Sequence, residues 1–178
     1  MFKLRPLQTS DLETILEWRN DPSVRQNMYT QDIISIEQHR TWWSDVSCRN
    51  DKKYFICEEF GVAVGVVAFT DINFRIGNAS WAFYSDPNAR RGTGSSMELL
   101  ALDFAFLDMK LNKLYCEVLS FNQSVINMHK KFGFNVEGTF VQQFKNENGY
   151  SDVVRLAIFQ TEWAVRRSEI IQKLSRYK

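Results

Sequence analysis

Apolar positions along this chain recur with two periods, and the places where the period changes mark its elements. Phe2 to Leu7 alternates and reads as a first strand. Ser10-Asp11-Leu12-Glu13 carries a capping-box pattern, in which the serine hydroxyl accepts from the helix start and the glutamate reaches back. Leu12, Ile15, Leu16 and Arg19 follow along one helical face, and Asn20-Asp21-Pro22 breaks that helix. A short turn or helix runs on through Val24 and Met28. Ser35-Ile36-Glu37-Gln38 opens another helix, which carries His39, Trp42 and Trp43. Tyr54 to Glu58 and Val62 to Asn73 flank a turn at Phe60-Gly61 and predict a hairpin. Asn78 to Tyr84 predicts a further strand, stopped by Asp86-Pro87-Asn88. Ser95 to Lys110 is apolar nearly all round, with Met97, Leu99, Leu100, Leu102, Phe104, Phe106 and Leu107, so it predicts a mostly buried helix. Lys113 to Leu119 reads as a strand. Asn122 is placed to cap a helix through Phe132, and Gly133 suits its end. Val136 to Phe144 and Tyr150 to Phe159 are strands around Asn146-Glu147-Asn148-Gly149, whose Asn-Gly pair suits positive φ in a hairpin turn. From Thr161 the tail is amphipathic and helical.

Seven strands interleaved with helices in this order predict one mixed sheet flanked by helices, an α/β (α+β) fold. At 178 residues with 44% hydrophobic content, residues 1–178 suit a single domain with a sizeable core. A net charge of +1, from 22 basic and 21 acidic residues, gives no electrostatic footprint for nucleic acid or an anionic membrane. The three cysteines, Cys48, Cys57 and Cys116, form no close pair, which argues against a disulfide framework. Only two histidines are present, His39 and His129, so no zinc cluster and no metal are expected. The N-terminus has no basic-then-apolar leader, and no apolar run approaches the roughly 18–20 residues that span a bilayer. The chain reads as cytoplasmic.

Two segments carry chemistry. Ala89-Arg90-Arg91-Gly92-Thr93-Gly94-Ser95-Ser96 sets two glycines and two arginines at the start of the apolar helix. Free N–H groups and the helix dipole favour an anion there, and glycines let a phosphate approach the backbone. It is neither a dinucleotide fingerprint nor a Walker loop, because the third glycine and the Gly-Lys-Ser/Thr are missing. Alone, it is equally an ordinary strand-to-helix turn with a basic rim. About thirty residues on comes Asn122-Gln123-Ser124-Val125-Ile126-Asn127-Met128-His129-Lys130-Lys131-Phe132-Gly133-Phe134, which alone is a capped amphipathic helix. A strand before each helix brings both loops to one sheet edge, one for a pyrophosphate and one for a pantetheine arm. Asn122 is placed to bond the pantetheine amides as well as to cap.

With both segments in this order, the chain resembles the GNAT (GCN5-related) N-acetyltransferases. The resemblance implies a central mixed, mostly antiparallel twisted sheet of about seven strands and acetyl-CoA as co-substrate. The family's pyrophosphate loop reads Gln/Arg-x-x-Gly-x-Gly/Ala. Gly92 and Gly94 fill the glycine places, Ala89 replaces the usual Gln or Arg, and Arg90-Arg91 stand nearby. The second motif, Asn, then Tyr seven residues on, then Lys-x-Gly-Phe, is matched at Asn122, Lys131, Gly133 and Phe134, with His129 in the tyrosine place. The resemblance implies cofactor contacts from Phe83, Tyr84, Arg90, Arg91, Gly92, Thr93, Gly94, Ser95, Asn122 and Lys131. It assigns the tyrosine place to the acid that protonates the leaving thiolate. A histidine donates too, and packing on the helix face is its plain structural alternative.

Across nearly the whole chain the sequence is also similar to the N-acetyltransferases of pseudaminic acid biosynthesis, which act on UDP-4-amino-4,6-dideoxy-N-acetyl-β-L-altrosamine. The matching pieces include Leu16-Glu17-Trp18-Arg19-Asn20, Met28-Tyr29-Thr30, Ile36-Glu37-Gln38-His39, Gly65 through Asn73, and Gly149-Tyr150-Ser151-Asp152-Val153-Val154. That likeness implies a UDP-amino-sugar acceptor. Arg19 and His39 would contact the nucleotide sugar, Tyr29 would close over it, and Thr70, Asp71 and Tyr84 would meet the sugar near the ends of adjacent strands. Direct transfer is the most economical chemistry, with Asp71, Glu117 or ordered water as base. Backbone N–H groups of Trp81 to Tyr84 would polarise the thioester, and His129 would be the acid. The alternatives are acetylation of ribosomal-protein N-termini and a non-catalytic acetyl-CoA-binding protein. An exposed strand edge would allow a homodimer.

Overall fold

The computed structural model describes residues 1–175. Seven strands form one sheet in the order β1-β2-β3-β4-β5-β7-β6. They are β1 (Phe2–Pro6), β2 (Lys53–Glu59), β3 (Val62–Asn73), β4 (Asn78–Ser85), β5 (Lys113–Leu119), β6 (Asn135–Asn146) and β7 (Gly149–Phe159). The helices are α1 (Leu12–Asn20), α2 (Pro22–Arg25), α3 (Ile36–Ser47), α4 (Thr93–Asp103), α5 (Gln123–Phe132) and α6 (Gln160–Ser175). Every neighbouring pair of strands is antiparallel except β4 and β5, which run parallel. No helix among the described residues is long and apolar enough to cross a membrane.

Period-2 alternation divides the two faces of the first half-sheet. Val67, Phe69 and Trp81 pack with Met97, Ala101 and Leu102 of α4 in the main core. Ile56, Val66 and Tyr84 face the other way, onto Leu12, Ile15 and Trp18 of α1 and Trp42 and Trp43 of α3. Gly65 brings β3 close under α4: a Cβ there would lie 2.6 Å from the Met97 methyl and 2.8 Å from the Tyr84 carbonyl oxygen.

Local signals are mostly realised, with informative exceptions. Ser35 and Gln38 form the expected reciprocal capping box of α3. Phe60 and Gly61 both take positive φ, 51° and 87°, as a tight hairpin turn of the primed type requires. The expected box at Ser10 does not form. Asp11 instead accepts from the Gln8 N–H at 2.8 Å and is forked by Arg5, so the chain enters α1 through a 3-10 turn at Thr9–Asp11. In the last hairpin Asn146 pairs with Gly149, leaving Glu147-Asn148 as the turn, and only Gly149 of that group has positive φ, 111°. The helix expected to run to Lys110 is regular only to Asp103 and widens into a π turn at Phe104–Asp108. The edge strand β6 is exposed along most of its length, including Val136, Phe140 and Val141.

Candidate active site

The parallel pair β4–β5 is short. It joins Asn78, Ala79 and Ser80 to Lys113, Leu114 and Tyr115, and then stops. Beyond it β4 stays with β3 and β5 stays with β7, so the two strands part and open a cleft between two half-sheets. Backbone polar groups of Trp81 to Ser85 on that side lose a sheet partner, which leaves them for a ligand. Trp81 to Ser85 form one wall, and Cys116, Glu117 and Val118 the other. Asn122, Val125 and His129 of α5 line the cleft, as do Ser23, Val24, Asn27 and Met28 from α2 and the segment after it.

At one mouth, Gly92 precedes α4 with φ 93°, a left-handed conformation that glycine takes without cost. Thr93 is buried, and its hydroxyl has no hydrogen-bond partner among the described residues. Gly94 lies against Phe83 and Met128, 3.5 and 3.6 Å from where a Cβ would sit. Ser95 is half-buried in the same turn. The paired arginines divide. Arg90 is forked onto Glu59 and lies over the Phe2 ring, so its charge is already matched, contrary to the expectation that both serve the loop. Arg91 is exposed with no ion-pair partner among the described residues. Asn122 caps α5 by accepting from the Val125 N–H and borders the cleft. Lys131 is exposed on the last turn of α5.

His129 sits at the floor of the cleft, 2% exposed. Its ring is boxed by Trp81, Phe83 and Phe134, with centroids 5.3, 6.1 and 5.1 Å away. Nδ1 is 2.8 Å from Oε1 of Glu98, a fully buried carboxyl on α4. Burial alone would disfavour the imidazolium. Interaction with the Cys116 sulfur and with Glu98 outweighs it, and the His129 pKa is pushed up to about 10. Burial also raises the Glu98 pKa, against the opposing pull of His129. Both directions mean that this pair holds its proton firmly. Glu98 and Cys116 were missed in the sequence. The available signal was a lone acid inside an otherwise apolar stretch of α4.

A second polar cluster lies beside Tyr84 and Glu117 of the cleft walls, on the α1 and α3 side of the sheet. Arg19, near the end of α1, donates from Nη2 to the Thr30 carbonyl at 2.7 Å, while Nη1 is buried without a partner among the described residues. His39 on α3 is 4% exposed, stacks on Trp42 at 5.0 Å, and leaves Nε2 buried and unpartnered. Burial first, then the Arg19 charge, lowers the His39 pKa. Tyr84 is close enough for its phenol to interact with Arg19, and burial raises its pKa. Tyr29 reaches across from the segment after α2 and donates to Glu117 at 3.0 Å; burial and then that carboxylate raise the Tyr29 pKa. Glu117 also accepts from Arg155 at 3.2 Å.

Arg19, His39 and Tyr84 come together; Thr70 and Asp71 do not join them. Tyr84 pairs with Val66 and Thr70 with Ser80, so Thr70 and Tyr84 lie at opposite ends of the β3–β4 pair. Four strand positions separate them, about 13 Å. They share a sheet face, with Ala68 and Ala82 between them. Asp71 is exposed at the bulge of β3, with φ 51°, remote from the cleft, and so is no base for chemistry there.

Residues 2–135 match the model of the acetyltransferase (GNAT) domain family. The chain is similar to the spermidine N(1)-acetyltransferase of Escherichia coli, 26% identical, with 90% of this chain and 87% of that protein covered. It is also similar to acetyltransferase PseH of Campylobacter jejuni, 27% identical over 76% of this chain and 86% of that protein. The likeness to PseH covers less of the chain than the likeness to the spermidine enzyme, not nearly the whole chain as the sequence suggests. Among solved structures, spermidine N-acetyltransferase from Vibrio cholerae in complex with CoA and spermine superposes with a TM-score of 0.86 at 24% identity, covering 92% of this chain and 98% of that one. A dodecameric structure of spermidine N-acetyltransferase from the same organism superposes with a TM-score of 0.80. With parted β4 and β5, a glycine-led α4 and a family match over most of its length, the chain belongs to the GNAT acetyltransferases and is an acetyl-CoA-dependent N-acetyltransferase.

Proposed function

We propose that the acceptor is the 4-amino group of a UDP-4-amino-4,6-dideoxy sugar of the pseudaminic type. The observation that carries this is the pair of buried side-chain nitrogens, Arg19 Nη1 and His39 Nε2, which have no partner among the described residues. Leaving such groups unpaired costs roughly 1–3 kcal/mol each, more for a charged one, and an anionic nucleotide supplies what they lack. A polycation would instead meet like charge. The face from Tyr84 past Ala68 and Ala82 to Thr70 is long enough for an extended ligand, with Thr70 and Asp71 at its far end.

In this reading acetyl-CoA lies between β4 and β5. The α4 N-terminus, with Gly92, Thr93, Gly94, Ser95 and Arg91, takes the pyrophosphate. Asn122 and Phe83 flank the pantetheine arm, and Lys131 serves the outer phosphate side. The free backbone N–H groups of β4 polarise the thioester carbonyl. Glu117, held by Tyr29 and Arg155, takes the proton from the incoming amine directly or through water. His129 gives a proton to the departing sulfur. Alignment of two bound substrates supplies much of the rate. Self-association fits the same reading, because β6 is an exposed edge and a similar enzyme is described as dodecameric.

Polyamine acetylation is the second reading, favoured by the spermidine-enzyme relatives and by Glu117 in the cleft. Thiol release from acetyl-CoA, measured with UDP-4-amino-4,6-dideoxy sugars, spermidine and ribosomal N-terminal peptides, separates the readings. Turnover on the nucleotide sugar alone supports the proposal. Turnover on spermidine or a peptide alone overturns it and leaves the acetyltransferase assignment intact.

A further inference from the structure

His129 is not alone at the cleft floor. Glu98 is the only charged residue of α4 before its last position, Asp103, and it is fully buried in a helix that packs on the sheet. Its Oε1 meets His129 Nδ1 at 2.8 Å, while Oε2 is buried without a partner among the described residues. Stability does not account for this arrangement. A buried ion pair is often no more stable than a well-packed apolar pair of similar volume, and an unsatisfied oxygen makes it worse. The walls around the ring, Trp81, Phe83 and Phe134, bring no charge. The titratable groups that face it are Glu98 from α4 and Cys116 from β5.

We propose that Glu98 is a positioning residue that commits His129 Nδ1 and fixes the ring plane, so that Nε2 presents a proton to the CoA sulfur. This rests on the acid role given to His129 above. In the transfer, the amine nitrogen bonds to the acetyl carbonyl carbon as the carbon–sulfur bond breaks. The electron pair of that bond stays on sulfur, the Nε2 proton passes to it, and free thiol and neutral imidazole result. The proton lost by the amine goes to the base and solvent, and solvent returns one to the ring. A carboxylate behind an imidazole thus orients a proton donor toward the departing sulfur.

Side-chain nitrogen NMR tests this directly, because the protein has only two histidines, and a His39→Asn variant assigns them. In the wild-type protein, His129 is expected to keep its Nδ1 proton and remain cationic at pH 8. In Glu98→Gln its titration midpoint is expected to fall at least tenfold in proton affinity, with the alkaline limb of kcat moving down in step; Glu98→Asp recovers part of it. A midpoint unchanged in Glu98→Gln, or one that falls only in Cys116→Ala, overturns the part given to Glu98. An unchanged kcat and pH profile in His129→Ala overturns the acid role beneath it. If Glu98→Gln does not fold, the wild-type spectrum still decides: a neutral His129 lacking the Nδ1 proton at pH 8 contradicts the proposal.

Discussion

The two histidines are both buried, only His129 of them in the cleft, and their rings are driven in opposite directions. His39 and His129 are 4% and 2% exposed, so burial disfavours the cation in both. His39 has Arg19 as its charged neighbour and an unpartnered Nε2, and its pKa is lowered. His129 has Cys116 and Glu98, and its pKa is raised to about 10. Burial sets the default and the neighbouring charge sets the outcome. In the acceptor half the result is a neutral ring beside an unmet cation, ready for an anion. In the donor half it is a ring that keeps its proton beside Glu98, facing the place of the sulfur.

Variants of the two halves should therefore separate in kinetics. His129→Ala removes general-acid assistance, and kcat is expected to fall about a hundredfold, the low end for such groups, with KM for acetyl-CoA little changed. Steady-state thiol release at pH 7 checks this; a shift in KM alone would assign the ring to binding. Arg19→Ala removes charged hydrogen bonds of about 1.5–3 kcal/mol. KM for the nucleotide sugar should rise about tenfold to a hundredfold while KM for acetyl-CoA holds. Equal loss on both substrates would merge the two halves that the structure divides.

Gly65→Ala provides the contrast, since it disturbs the frame that both halves share. The added methyl meets Met97 and the Tyr84 carbonyl. Overpacking of this kind costs about 1–3 kcal/mol, which for a protein of this size lowers the melting midpoint by roughly 2–4 °C per kcal/mol. Calorimetry of the variant checks it. A further effect is expected in the pH dependence of stability. The folded His129 pKa lies above the unfolded value of about 6.5, so its contribution is complete below that value and is lost as pH rises through about 10. The folded His39 pKa is lowered, so its contribution is present above about pH 6.5 and is lost as pH falls through its folded pKa. Each slope is bounded by about 1.4 kcal/mol per pH unit for one proton. Melting curves should sag at both ends, with His129→Phe flattening the alkaline end and His39→Phe the acid end.

The sheet was largely legible because strands with one buried face keep period 2, and helix ends carry their own chemistry at Ser35, Asn122 and Gly133. Failures came where side chains compete. At the first helix, Asp11 has two partners, Arg5 and the Gln8 N–H, and outweighs Ser10. Glu98 was hidden because an apolar stretch suggests burial of everything except its acids, and its partner lies 31 residues away. Thr70 and Tyr84 were placed together because strand ends look alike in sequence; antiparallel pairing of β3 with β4 sends them to opposite ends. Arg90 reads as loop charge until β2 brings Glu59 alongside it.

The most direct test of an anionic acceptor is calorimetric titration of UDP and of spermidine into the protein saturated with CoA. UDP is expected to bind, Arg19→Ala combined with His39→Asn to abolish the heat, and spermidine to give none. Saturable spermidine binding with no response to UDP would contradict it.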